Sequence, residues 1–328
     1  MQTKSNNTKI SQVDNLIQTF FDLGNGQAKL VIEDKAAKIP SAYALEEPQG
    51  QLSTKTGARL KPKAFNATVG QQSYWFGQDV LNGDCFKGVG NAKLLPQYIH
   101  TIFTGALLAW CSQHKVNPKA AFDNKVLAIS VLMPPELYQD ASTRKAHQKA
   151  FGEAFKHRIG VHVQTDKHPT FQLMTRLERI APETLIYYHA LKVKAAKYIV
   201  VIDAGYGTLD IAIYRIGTDQ PIATKSLNKG VLHGIKSDLS INALECELIA
   251  GKDLQRLDSY FNQVLLFVQQ LTRSIDGPTT EYHLIGGAVN LMTNEAREMF
   301  KLGLNNLIFG DEYSNVRALA NLKAGEQC

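Results

Sequence analysis

Apolar residues along this chain form two kinds of pattern: short continuous runs, and longer stretches that repeat every three or four positions. The short runs, typical of buried strands, are Leu16–Asp22, Lys29–Ile32, Val126–Val131, Tyr198–Asp203, Leu209–Tyr214 and Tyr282–Ile285. The helical stretches are Ile99–Trp110, Asp140–His157, a segment opened by Pro182 and Glu183, Val231–Ala250 and Leu257–Ile275. Because strands and helices alternate along the chain, the pattern predicts an α/β protein.

Two of the predicted strands end in the same short motif, Asp-x-Gly-x-Gly. The motif occurs at Asp22–Gly26 and again at Asp203–Gly207, and each copy leads into a second apolar strand. One Asp-Gly turn is common in hairpins, but two in matched positions indicate an internal duplication. Its repeat is far longer than that of a solenoid, so we expect two related domains.

The chemistry of these turns favours a phosphate ligand. Glycines allow backbone N–H groups to face outward and form a concave nest for phosphate oxygens. A carboxylate at the strand end, Asp22 or Asp203, can hold the waters of a hydrated Mg²⁺. The polar side chains placed to complete the two turns are Asn25, Lys29, Tyr206, Thr208 and Asp210. Lys29 also fits the role of an ordinary lysine at a strand edge.

Composition narrows the class of protein without identifying it. The chain has 328 residues, of which 44% are hydrophobic and 20% are charged. This predicts a folded protein of about two domains. With no apolar run long enough to span a membrane, no signal region and four scattered cysteines (Cys85, Cys111, Cys246 and Cys328), we expect a cytoplasmic protein with reduced thiols. The net charge of +6 suits a polyanionic partner and leaves direct contact with nucleic acid open.

A third glycine site follows the last predicted strand, where Gly286, Gly287 and Ala288 precede a helix expected near Asn290. With this site, the chain resembles the actin-type ATPase superfamily, and within it the plasmid-segregating bacterial actins of the ParM type. The segments similar to that family are Asp22–Gly26 with Lys29 (first phosphate loop), Ile199–Ile211 (second phosphate loop), Leu284–Ala288 (adenosine loop), Ala181–Thr184 (connecting segment), Ser226–Val231 (entry to the fourth subdomain) and Glu312–Leu319 (final helix).

The resemblance implies an actin-like ATPase fold, with two related lobes and four subdomains around a nucleotide cleft. Lobe I would span residues 16–195, with a small peripheral subdomain at about 34–90. Lobe II would span residues 196–322, with a peripheral subdomain at about 231–276. Residues 1–15 would form a flexible leader.

The resemblance also implies roles for individual residues. ATP, or GTP in its place, would bind with Mg²⁺, which Asp22 and Asp203 would hold through water. Glu183 would orient the attacking water and, with Asp203, would be catalytic. A glutamate at this position is also favoured by the helix dipole alone. The nucleotide-binding residues would be Asp22, Gly24, Asn25, Gly26, Lys29, Gly205, Tyr206, Gly207, Thr208, Gly286, Gly287 and Ala288.

Two positions depart from the family's pattern. The second loop reads Gly-Tyr-Gly where many relatives have Gly-Gly-Gly or Gly-Gly-Thr, so Tyr206 adds bulk beside the phosphates. Gly287–Ala288 replaces a longer run of glycines, which tightens the expected nucleoside site.

The function that the resemblance implies is a filament-forming ATPase that self-associates and segregates plasmid DNA through a DNA-binding adaptor. Other cargo is an alternative, as is a sugar-type kinase on the same fold, although no signature of a second-substrate pocket is found. A chaperone ATPase would need a further domain after Cys328. A membrane-bound actin would carry an amphipathic helix, which neither Met1–Asn15 nor Asn321–Cys328 provides, so we expect no membrane partner.

Overall fold

The computed structural model describes residues 16–49, 63–88, 90–156, 158–163, 170–191, 196–218, 220–234 and 257–321. The predicted leader 1–15 lies outside these residues. So do residues 235–256, which make up much of the peripheral subdomain expected at 231–276 and most of the helix expected at Val231–Ala250.

The first sheet contains eight strands in the order β3-β2-β1-β8-β10-β9-β5-β6, and β4 pairs with β7 beside it. These strands are Leu16–Leu23 (β1), Gln27–Ile32 (β2), Lys35–Pro40 (β3), Ala42–Tyr43 (β4), Ala64–Val69 (β5), Gln72–Gly77 (β6), Phe86–Lys87 (β7), Val126–Met133 (β8), Arg158–Val163 (β9) and Phe171–Pro182 (β10). The hairpin β5-β6, in the predicted peripheral region 34–90, continues this sheet through β9.

The second sheet contains five strands in the order β13-β12-β11-β14-β15. They are Tyr198–Ala204 (β11), Leu209–Arg215 (β12), Ala223–Leu227 (β13), Thr280–Ile285 (β14) and Leu307–Phe309 (β15). Three antiparallel strands are followed by two parallel ones, as in the β3-β2-β1-β8-β10 part of the first sheet. The two sheets thus share the topology expected of the duplication that the matched turns indicate.

Nine α-helices are found in the described ranges. They are Pro96–Gln113 (α1), Pro118–Phe122 (α2), Pro135–Gln139 (α3), Ala141–Ala154 (α4), Glu183–Ala190 (α5), Val231–Gly234 (α6), Leu257–Thr272 (α7), Asn294–Gly303 (α8) and Ser314–Asn321 (α9). The helix expected near Asn290 therefore begins at Asn294, after a 3₁₀ turn at Gly287–Leu291. None of the helices in the described segments has the length and apolar character needed to cross a membrane.

Each sheet has its own hydrophobic core. The apolar face of α1 packs on the first sheet, where Phe103 meets Phe21 edge to face with ring centroids 5.3 Å apart. The apolar face of α7 packs on the second sheet through Phe261 and Val264. Burying such faces is the main source of stability of these elements, at about 25 cal/mol for each Å² of apolar surface removed from water.

Two helices lie between the sheets and join the cores. Ile186 on α5 packs with Val31 and with Val316 of α9, against the first sheet. The other face of α5 packs on the second sheet, where Tyr188 stacks on Tyr214 with centroids 4.3 Å apart. Helix α9 follows the second sheet in sequence but packs on the first. The chain therefore passes between the two lobes at both α5 and α9.

Candidate functional site

The first glycine turn joins β1 to β2 and places a buried ion pair beneath it. Asp22 and Lys29 are direct partners in the antiparallel register, and Lys29 Nζ lies 2.9 Å from Asp22 Oδ2. Ser41 fixes the turn from behind, because its hydroxyl donates to the Gly24 carbonyl at 2.8 Å and its N–H donates to the Gly26 carbonyl at 3.0 Å. The turn is thus held through its carbonyl groups.

The second turn, at Gly205–Thr208 between β11 and β12, is held in a similar way. The carbonyls of Gly205, Tyr206 and Gly207 accept hydrogen bonds from the N–H groups of residues 231, 232 and 230, at 3.2, 3.0 and 3.1 Å. A further bond of 2.9 Å runs from the Gly205 N–H to the Thr208 carbonyl. Both turns therefore have fixed backbones, as a preformed anion nest requires.

The two turns meet directly. A Cβ placed on Gly207 would lie 2.6 Å from the Cβ of Asn25, so only a glycine fits at this contact. Asn25 itself is exposed at the tip of the first turn. The structure therefore brings the two halves of the duplication together at the residues that the sequence predicts to bind phosphate.

The third glycine element lies against the second turn. Gly286 has a φ of +99°, and a Cβ there would collide with Asp203 Oδ1. The ring of Tyr206 borders Gly287, where an added Cβ would lie 3.0 Å from the Tyr206 Cε2 atom, and Ala288 is fully buried. The bulk of Tyr206 is thus directed at the proposed nucleoside element.

Acidic residues from both lobes share this site. Burial raises the pKa of Asp203 to about 7, with Asp210 and Asp22 acting in the same direction and Lys29 opposing them. Burial, together with Asp22 and Asp203, also raises the pKa of Glu183 well above its ordinary value. Burial would lower the pKa of Lys29, but the acidic groups outweigh it and hold this pKa above its usual range. Glu183, the first residue of α5, therefore lies within electrostatic reach of both turns.

Asp210 and its neighbours extend the site toward α3. Asp210 is opposite Asp203 in the strand register and accepts a hydrogen bond from the Ser226 hydroxyl. The Ser226 N–H donates at 2.7 Å to Glu136 on α3, which belongs to the first lobe. This chain of contacts is a second link between the two sheets.

Two further residues lie in the site, and the sequence pattern identifies neither of them. Lys93, in the 3₁₀ turn Gly90–Leu94, has a pKa lowered to about 8 by burial and by Lys87 and Lys29, with Asp22 and Glu183 opposing. Asn315, in the first turn of α9, donates its side-chain amide to Asp203 Oδ2. Lys93 carries no local motif, whereas Asn315 lies within Glu312–Leu319, where the family resemblance indicates a final helix.

The donor set fits a hydrated magnesium ion. Carboxylates whose pKa values are raised by burial and by mutual repulsion are stabilised in their charged form by a nearby cation. The part of the chain that the structure describes has no group of three or more His, Cys, Asp or Glu arranged to hold a metal directly. Asp22 and Asp203 are candidates to hold Mg²⁺ through its waters, since this ion keeps much of its hydration shell.

Comparison with solved structures identifies the fold. The pCBH ParM non-polymerisable quadruple mutant matches with a TM-score of 0.64 and 14% identity, over 93% of this chain and 98% of that one. AlfA from the B. subtilis plasmid pLS32, solved as a filament, matches with a TM-score of 0.58 and 15% identity, over 94% and 100%. ParM from Bacillus thuringiensis, solved with AMPPNP, matches with a TM-score of 0.59 and 12% identity, over 94% and 98%.

No protein-family model and no curated protein sequence matches this chain. The structural likeness, which covers more than nine-tenths of the chain, shows that it has the actin-like fold of these bacterial proteins. The actin-like fold that the family resemblance implies is therefore confirmed.

Proposed function

We propose that this chain is a bacterial actin-like protein that binds and hydrolyses ATP and assembles into filaments. The observation that carries the proposal is the meeting of the two glycine turns at Asn25 and Gly207, with Asp22, Asp203 and Glu183 gathered beneath them. The similar fold of a filament-forming protein and of a ParM bound to AMPPNP supports it.

In the proposed phosphoryl transfer, some residues of the site would bind the nucleotide and the cation, and others would position the attacking water. The backbone N–H groups of the two turns and the Lys29 ammonium would bind the phosphates, and Asp22 and Asp203 would hold the hydrated Mg²⁺. The bound ion supplies charge neutralisation for the transferred phosphoryl group. Glu183 would orient the attacking water. No covalent nucleophile is needed, because positioning and electrostatics supply the catalysis.

Filament assembly would follow from closure of the two lobes around the nucleotide. Helices α5 and α9 both join the lobes, so a change at the glycine turns can alter the angle between the two lobes. We further propose that the filament segregates plasmid DNA through a DNA-binding adaptor protein, with the basic surface in a secondary role.

Sedimentation and light scattering with ATP, ADP or no nucleotide, alongside phosphate release, test this proposal. We expect pelleting and scattering with Mg²⁺ and ATP, and disassembly as ATP is consumed. ATP consumption that requires an added sugar, with no pelleting under any condition, would replace this proposal with the sugar-kinase alternative.

A further inference from the structure

Asp203 is held from two sides by residues outside its own turn. Its Oδ1 atom faces the backbone of Gly286, where the positive φ and the close approach both require glycine. Its Oδ2 atom accepts a hydrogen bond from the side-chain amide of Asn315. A carboxylate that packs against backbone at one oxygen and accepts a hydrogen bond at the other has a restricted orientation, which an ordinary surface aspartate lacks.

The Asn315 hydrogen bond crosses from one lobe to the other. Asp203 is the next-to-last residue of β11 in the second sheet. Asn315 lies in the first turn of α9, whose Val316 and Leu319 pack with Val31 of the first sheet. The strand and the helix that this hydrogen bond joins therefore pack in different hydrophobic cores.

The start of α9 is fixed on the first lobe. Lys38 on β3 lies 2.6 Å from the carboxylate of Glu312, which is only 9% exposed. The segment before the helix is also closed on itself, since Ser314 Oγ accepts from the Asp311 N–H at 2.8 Å and Asp311 Oδ1 accepts from the Tyr313 N–H at 2.9 Å. The backbone that carries Asn315 is thus fixed in position on the first lobe.

The same amide retains an unused acceptor. Asn315 is 7% exposed, and within the described residues its Oδ1 atom is buried without a hydrogen-bond partner. A buried acceptor left in this state is unfavourable, so a ligand that donates a hydrogen bond to it would be stabilised. Because the same amide contacts the carboxylate expected to hold metal-bound water, this oxygen would be available to accept a hydrogen bond from such a water.

We propose that Asn315 is a positioning residue of the nucleotide site, which fixes Asp203 for a hydrated divalent cation and ties it to the helix packed on lobe I. The inference rests on the proposed function, and it assigns to α9 a direct part in cation binding. It predicts that loss of the Asn315 amide lowers nucleotide affinity in the presence of the cation and changes it little when the cation is absent.

Binding of a fluorescent ATP analogue, measured with Mg²⁺ and separately with EDTA, tests this assignment. Asn315→Leu keeps the number and branching of the side-chain heavy atoms but removes the amide. We expect its affinity in Mg²⁺ to fall about tenfold or more, as for loss of a hydrogen bond to a charged group, and its affinity in EDTA to change less than about twofold. Asn315→Ser, which is polar but too short to reach Asp203, should show the same Mg²⁺-specific loss and guards against misfolding of the leucine variant.

Asn321→Ala is the matched control, because it removes an exposed amide from the other end of the same helix. It should bind as the wild type does in both conditions. Equal losses of affinity in Mg²⁺ and in EDTA for the Asn315 variants would show a merely structural role and overturn the inference. Variants that keep the wild-type affinity in both conditions would overturn it too. If the wild type itself shows no Mg²⁺-dependent nucleotide binding, the result contradicts the proposed function, and with it the inference that rests on it.

Discussion

Asn25 packs directly on Gly207, so the tip of the first glycine turn touches the backbone of the second. The contact joins residues 182 positions apart in the chain, in the matched turns of the two halves of the duplicated fold. Because the distance between the turns determines whether both can contact one phosphate chain, this contact sets the geometry of the proposed site.

Gly207→Ala should therefore weaken nucleotide binding without unfolding the protein. The added methyl group would lie 2.6 Å from the Asn25 Cβ, so the turns must separate. We expect a loss of affinity of about tenfold or more for the fluorescent ATP analogue. Gly83→Ala is the control, since a Cβ there meets nothing within 4 Å. Unchanged affinity in Gly207→Ala would show that the turns do not act on one ligand.

Glu183→Ala should separate assembly from hydrolysis. The proposed role of Glu183 is to orient water, so its removal should slow phosphate release by about 100-fold, within the range of general acid–base and positioning effects. Filaments should still pellet with ATP but disassemble slowly, as followed by light scattering. A glutamate retained only for its effect on the helix dipole would leave phosphate release unchanged while lowering the stability of α5 slightly.

The sequence predicts the fold well where strand and turn occur together. The runs Leu16–Asp22 and Tyr198–Asp203 combine a clear apolar pattern with a glycine turn, and both are strands in the structure. The pattern does not predict strand β10, Phe171–Pro182, although it lies in the middle of the first sheet. Its alternation is interrupted by charged residues and by a register shift between Leu177 and Arg179, so the period of two is lost.

In the candidate site too, the sequence predicts the residues with a local signal and misses the others. Residues of the turns are recognisable because glycine and aspartate at fixed spacing have local conformational causes. Lys93 and Asn315 reach the site only through long-range packing, from a short turn before α1 and from the last helix. A contact formed between segments far apart in the chain has no local signal, so it could not be derived from spacing.

Lys93 should be unusually reactive toward amine-specific reagents near pH 8. Burial lowers its pKa to about 8, so about half of this amine is neutral and nucleophilic at that pH. Mass spectrometry after brief acetylation should show labelling of Lys93 that rises steeply between about pH 7 and 8 and then levels off. ATP with Mg²⁺ should protect it, whereas the exposed Lys149 on α4 should be labelled equally with and without nucleotide. Labelling of Lys93 that ATP does not change would place its amine outside the ligand site.

Asp203 should make the stability of the nucleotide-free protein depend on pH. Its pKa is about 7 in the folded protein and near its ordinary value of 3.8 in the unfolded chain, so between these values the folded state binds more protons. The free energy of unfolding should therefore fall as pH rises from about 4 to 7. Asp203→Asn removes this titration while leaving an oxygen that can accept from Asn315.

Chemical denaturation at a series of pH values measures the effect as a difference between the two proteins. Asp203→Asn should match the wild type near pH 4 and become more stable than it by at least about 1 kcal/mol above pH 7, since each unit of pKa shift corresponds to roughly 1.4 kcal/mol. Asp84→Asn, on an exposed loop, should show no such trend. A constant difference across the pH range would mean that Asp203 is already charged in the folded protein at pH 4, and that the acidic cluster does not need a cation to ionise.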